Sequence, residues 1–185
     1  NTLADYTITS SDGSGNTAMY AIRDEIQDFS KLPFYGKKDV ILKITGEEGD
    51  TLSDYYVKFT GKSGVWNETI APATSLGLTN STMPHALVNN NNGTFTFQEL
   101  DWTNRVCGDA ETNPNPTFVG KKINNLTFYK NRLGILSGEN LVLTENASFF
   151  NYFATTSTQV LDTDPIDIAA SGTQVNTLKN SVGFN

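Results

Sequence analysis

Between residues 126 and 144 the chain reads LTFYKNRLGILSGENLVLT, three apolar runs broken by turn residues that leave room only for tight reversals. That spacing constrains the fold more than any other feature. Consecutive runs at 126–129, 133–136 and 141–144 must pair antiparallel, because a parallel return needs a crossover of roughly a dozen residues. Three short strands of this size predict a β-meander or one β-propeller blade.

Upstream the same punctuation recurs. Residues 6–9 alternate before a Ser/Gly turn, and runs at 39–45, 54–60 and 64–69 are separated by short polar turns, which predicts an antiparallel meander. From 17 to 30, Met19, Ile22, Ile26 and Phe29 recur at helical spacing with Pro33 just beyond, which predicts a helix laid against that meander. A further strand at 83–88, an Asn-Gly turn at 89–93 and a strand at 94–97 predict a hairpin. Residues 101–116, DWTNRVCGDAETNPNP, read as a loop between two units. After it Phe149, Phe150, Tyr152 and Phe153 form an aromatic group expected as a short helical turn, 162–167 is a turn entering a strand, and 172–181 is expected to be an amphipathic helix. The expected class is therefore α+β, mainly antiparallel β. A helix-on-meander unit at 1–116 precedes a blade-like meander with short helices at 117–185.

The side chains available for chemistry are few. Cys107 is the single cysteine and His85 the single histidine, which excludes internal disulfides, Cys/His zinc sites and any site using two imidazoles. Without a partner in sequence, His85 reads as a packed or turn residue and Cys107 as a small core residue. Asp24, Glu25 and Asp28 read as a solvated face, and Glu47, Glu48 and Asp50 as an exposed turn lacking the EF-hand pattern. The Asn-x-Ser/Thr triplets at Asn67, Asn80, Asn92, Asn125 and Asn146 are expected by chance in an Asn-rich chain. A net charge of −7 argues against a surface that grips nucleic acid through its phosphates. No apolar run approaches the roughly 20 residues of a membrane span, and a chain opening on Asn1, with neither a basic leader nor an apolar segment, is expected to be processed, excised or fragmentary.

The order of short motifs carries a resemblance. Tyr55-Tyr-Val-Lys-Phe59, Gly64-Val-Trp-Asn-Glu-Thr69, Met83-Pro-His-Ala-Leu87, Gly93-Thr-Phe95, Phe118-Val-Gly120, Asn131-Arg-Leu-Gly134, Leu136-Ser-Gly-Glu-Asn140, Phe149-Phe-Asn-Tyr-Phe153 and Asp164-Pro-Ile-Asp167 together resemble the tail tubular protein B, or tail nozzle, family of short-tailed bacteriophages. The resemblance runs from about Leu32 to Phe184, and the 6–30 region carries no matching motif. It implies a virion protein of the phage tail, hexameric at full length, seated below an adaptor ring. Such a protein retains the genome and conducts double-stranded DNA during ejection without binding it specifically and without entering a membrane. It also implies a larger propeller-like platform, of which this chain would hold the first blade. The motif residues Tyr55, Tyr56, Trp66, Pro84, His85, Asn131, Arg132, Gly134, Phe149, Phe150, Asp164, Pro165 and Asp167 are then structural, with no catalytic, metal or cofactor role. Lys37-Lys38, Lys121-Lys122 and Lys130 with Arg132 are the basic clusters, expected in solvent or between subunits.

Two other readings make structural predictions. A tail-associated polysaccharide hydrolase would bring a pair from Asp101, Asp109, Glu111, Asp162, Asp164 and Asp167 to about 5–9.5 Å in a cleft. A receptor- or glycan-binding module would expose Trp66, Trp102, Tyr55 and Tyr56 on one face.

Overall fold

The computed structural model describes residues 13, 22–46, 53–170 and 177–183. Among these residues ten strands make three sheets. The first sheet contains β1 (Glu25–Ile26), β2 (Ile41–Ile44), β3 (Tyr55–Phe59) and β4 (Trp66–Thr69), in that spatial order. Strands β5 (Ala86–Asn89) and β6 (Phe95–Gln98) pair only with each other. The third sheet runs β10 (Ile166–Ala169), β9 (Asn140–Leu143), β8 (Arg132–Ser137), β7 (Asn125–Tyr129), antiparallel throughout.

In the first sheet the two-residue period of a strand sends Leu42, Ile44, Val57, Phe59 and Trp66 to one face, where they meet Leu32 and form a core. Each such side chain contributes about 1.5–3 kcal/mol on burial. Lys43 points to the other face and pairs with Asp54, whose carboxylate also accepts from the Gly46 N–H. Burial alone would raise the Asp54 carboxyl, but these two donors outweigh it and hold it below its ordinary value.

The helix expected from 17 to 30 is not formed over its described part. Residues 25–26 are extended and pair parallel to β2, Glu25 beside Lys43 and Ile26 beside Ile44, and a single 3-10 turn follows at Phe29–Lys31. The apolar spacing was real, since Ile22 and Ile26 do pack on the first core. The backbone satisfies it differently: Lys43 N–H donates to Asp24 O and Thr45 N–H to Ile26 O, which covers the otherwise open edge of β2. Asp28 then accepts from Ser30 N–H and turns the chain. The predicted strand at 6–9, the start of that helix at 17–21 and the acidic turn at 47–50 lie outside the described residues. Among the described residues there is no α-helix, so the molecule is mainly antiparallel β rather than a helix-on-meander. Among the described residues no helix is long and apolar enough to cross a membrane.

The third sheet follows its sequence code closely. Lys130 and Asn131, both at positive φ, form the two-residue turn between β7 and β8, and Gly138 at φ 57° opens the turn between β8 and β9. Ile135 and Val142 face a second core with Met83, Trp102, Phe118 and Tyr152. On the opposite face the missing side chain of Gly134 matters: an added Cβ would lie 2.5 Å from Thr127 Cγ2 and 2.8 Å from Leu143 Cδ2. The aromatic group at 149–153 packs as expected but through turns rather than a helix. Phe149 meets Phe128 edge-on and Tyr152 lies against Trp102 and Phe118. Residues 177–183, the described part of the expected C-terminal helix, are also not helical. They run beside the third sheet, held by Leu178 N–H to Gly138 O and by Asn124 and Asn125 side chains donating to Leu178 O and Lys179 O. Bonds made sideways to the sheet replace those a helix would make within itself.

Candidate functional site

Two buried arginines gather loop oxygens, one in the 101–116 loop and one at an end of the third sheet. Arg105, in the 101–116 loop, is 3% exposed. Its Nε donates to Asn113 O at 2.7 Å, its Nη1 to Ser75 O and its Nη2 to Asn115 Oδ1, and the guanidinium lies 4.8 Å from the centre of the Phe153 ring. Burial pushes its pKa down, with Asp109 acting the other way. Arg132, at the start of β8, donates from Nη1 to Thr144 O and Asp164 O, each at 2.6 Å, and from Nη2 to Asp162 O at 2.8 Å. Both cations are held by neutral oxygens rather than carboxylates. Such an arrangement fixes the paths of the loops whose carbonyls it collects, and it presents no charge to a ligand.

Around them the polar groups are engaged in the same structural manner. Asn113 donates to Cys107 O and Ala154 O and accepts from Ala154 N–H, joining the 101–116 loop to the segment after the aromatic group. Gly108 forms an isolated bridge with Ile70 just past β4. Glu68, on β4, accepts from Ser157 N–H, Ser157 Oγ and Thr156 Oγ1 at 2.6–2.7 Å. Cys107 is 1% exposed, and burial first, then the Glu68 charge, push its thiol up to about 11. A thiol so held is a core residue and a poor nucleophile at neutral pH.

Of the carboxylates weighed for hydrolysis, four accept hydrogen bonds from neighbouring groups, and two of these, Asp164 and Asp167, line one cavity. Asp101 accepts from Asn80 Nδ2, and Asp109 caps the turn at Glu111 and Thr112. Asp164 accepts from Leu161 N–H, and Asp167 from Thr117 N–H and Oγ1. Asp162 and Glu111 are exposed. Among the described residues no group of three or more His, Cys, Asp or Glu is placed to hold a metal ion.

The four aromatics weighed for a glycan-binding face are not exposed together on one face. Trp66 is 9% exposed, tilted against Phe59 with its Nε1 donating to Pro33 O, and Trp102 is 5% exposed in the other core. Tyr55 and Tyr56 are half-buried neighbours on opposite faces of β3.

Of the residues that carried the resemblance, the structure gathers Asn131, Arg132, Asp164 and Pro165 at one end of the third sheet, with Asp167 beginning along β10. Phe150 reaches Trp102, Gly134 lies beneath Thr127 and Leu143, and Phe149 lies on Phe128. Pro84 and His85 stand apart at the base of the β5–β6 hairpin, where His85 Nδ1 meets Met83 O at 2.8 Å and its ring stacks on Phe97. Arg105, Asn113 and Glu68 went unnoticed in sequence, since a lone polar residue in a polar loop or on a strand carries no periodic signal.

A family model described as bacteriophage nozzle protein matches residues 2–185. The chain is also 39% identical over 177 residues to the tail tubular protein gp12 of Escherichia phage T7, an alignment that takes in 96% of this chain and 22% of that protein. It thus spans about a fifth of the length of the curated relative it matches. With motifs, β-rich fold and family model in agreement, the chain belongs to the bacteriophage nozzle protein family.

Proposed function

We propose that the protein containing this chain is a structural component of the phage virion, part of the tail nozzle that retains packaged DNA and conducts it during ejection. The observation that carries this reading is the family match across nearly the whole chain. The nozzle family is structural, and we assign this chain no catalytic step, metal or cofactor. Buried polar side chains such as Arg105, Asn113 and Arg132 support that role, because they hold loops together. The net charge of −7 fits a conduit, since DNA passing acidic and neutral walls meets no cations that would displace its counterions and hold it.

At full length we propose a hexameric ring below the tail adaptor. Within this chain we propose two units, 1–116 and 117–185, each built on its own sheet and core, with Met83 and Trp102 of the first extending into the core of the second. The four-stranded meander β7 to β10 has the size and order of a propeller blade, and we read it as the first blade of a larger platform.

Light scattering after size exclusion tests the assembly. The full-length protein is expected at six times its subunit mass. A species that stays monomeric at every concentration would overturn the conduit reading.

A further inference from the structure

The β5–β6 hairpin is built to be covered, and nothing among the described residues covers it. Its register sets Leu87 opposite Phe97, and Phe95, two residues from Phe97, shares their face. These side chains are 67%, 71% and 61% exposed. The His85 ring stacks on Phe97 at 5.1 Å and 13° and extends the face toward the body. Two-stranded sheets with no packing partner are marginal in water. The three side chains leave about 400 Å² of apolar surface uncovered, as large as the biggest patch on a typical monomer and about half of one partner's share of a standard protein interface.

The charge pattern favours a second copy of the chain as the occupant. From residue 69 to residue 98 the chain holds no Asp, Glu, Lys or Arg, although it carries 13 basic and 20 acidic residues in all. Two copies of a chain with a net charge of −7 repel each other, and a contact built on an uncharged element avoids setting like charges opposite one another. A membrane-binding hairpin would set basic residues beside its apolar face, and this stretch has none.

We propose that the hairpin is an arm that docks, through Leu87, Phe95 and Phe97, onto a second copy of the chain. The inference rests on the oligomeric reading above and specifies the surface that would make it. An arm that reaches a different patch on its neighbour forms a head-to-tail contact, which closes into a ring when the rotation allows.

The test uses the full-length protein carrying both Leu87→Asp and Phe97→Asp. Val88→Asp, on the opposite face of the same hairpin, serves as the control. Light scattering across a dilution series is expected to show self-association weakened about 100-fold by the double change and altered less than about threefold by the control. Thermal melts that match the unmodified protein establish that the variants fold. Should the double variant assemble at the same concentration as the unmodified protein, the arm is wrong while the oligomer stands. An unmodified protein that never assembles removes both readings. A second measurement places benzoylphenylalanine at position 97: ultraviolet light is expected to yield cross-linked pairs of this chain, and cross-links only within a single copy, to lipid or to other proteins would overturn the proposal.

Discussion

Two hairpins in this molecule are written in nearly the same local code and end in opposite environments. The β8–β9 hairpin turns on Gly138 and buries most of its residues, with Ile135 fully buried and Val142 1% exposed. The β5–β6 hairpin turns through Asn91 and Gly93, both at positive φ, with Asn89 and Asn92 side chains accepting from loop amides, and seven of its eight strand residues are exposed. Turn chemistry and alternation suffice to make a hairpin. Whether its apolar face becomes core depends on what the rest of the chain brings to it. Met83, Trp102, Phe118 and Tyr152 meet the one, and we infer that a second copy meets the other.

The contrast is sharpest in truncations of matched apolar residues. Ile135→Ala should lower stability by about 3–4 kcal/mol, through lost transfer free energy and the cavity left behind. Leu87→Ala in the isolated chain should change it by less than about 0.5 kcal/mol. Urea denaturation midpoints measure both. A large loss at Leu87 in the monomer would mean the hairpin is packed after all.

Hydrogen bonding should divide the same way. Arg132→Met removes three bonds from a buried cation and should cost about 3 kcal/mol. Asn90→Ala removes bonds to Thr94 and Thr96 on the exposed hairpin and should cost about 0.5 kcal/mol or less. Equal losses in denaturation would break the comparison.

The smallest expected effect is one of pH. The Cys107 thiol, ordinarily near 9.0, is pushed up to about 11, so the folded state disfavours the thiolate. Its stabilising contribution is complete below pH 9 and is lost as pH rises from there through 11. At about pH 9.5 the loss attributable to Cys107 should be about 1 kcal/mol, read as the difference in alkaline destabilisation between the unmodified chain and Cys107→Ala. Residues 86–98 contain no ionisable side chain, so the hairpin itself contributes nothing to this dependence.

How far the fold was legible varies by element. The strands β2 to β9 and the 101–116 loop follow from alternation and turn residues, because both signals are local. The helix across 17–30 failed over its described part because apolar residues three and four apart also suit an irregular segment whose side chains reach one core. The open edge of β2 offered hydrogen bonds that made the extended form competitive. The C-terminal segment failed for a related reason, since its described backbone bonds to the third sheet. The motif series by itself points to the nozzle family. It did not distinguish Arg132, which holds three loop carbonyls, from His85, which stands at the foot of an exposed hairpin.

By itself the sequence determined the β-rich class, the positions of the turns and the scarcity of catalytic groups, all properties of short stretches or of composition. Only the tertiary structure decided which hairpin is buried, that Arg105 and Arg132 are held by carbonyl oxygens rather than exposed to ligands, and that Trp66 and Trp102 lie in separate cores. The reason is physical: burial and hydrogen-bond partnership belong to pairs of residues far apart in the chain, and no local pattern encodes who the partner will be.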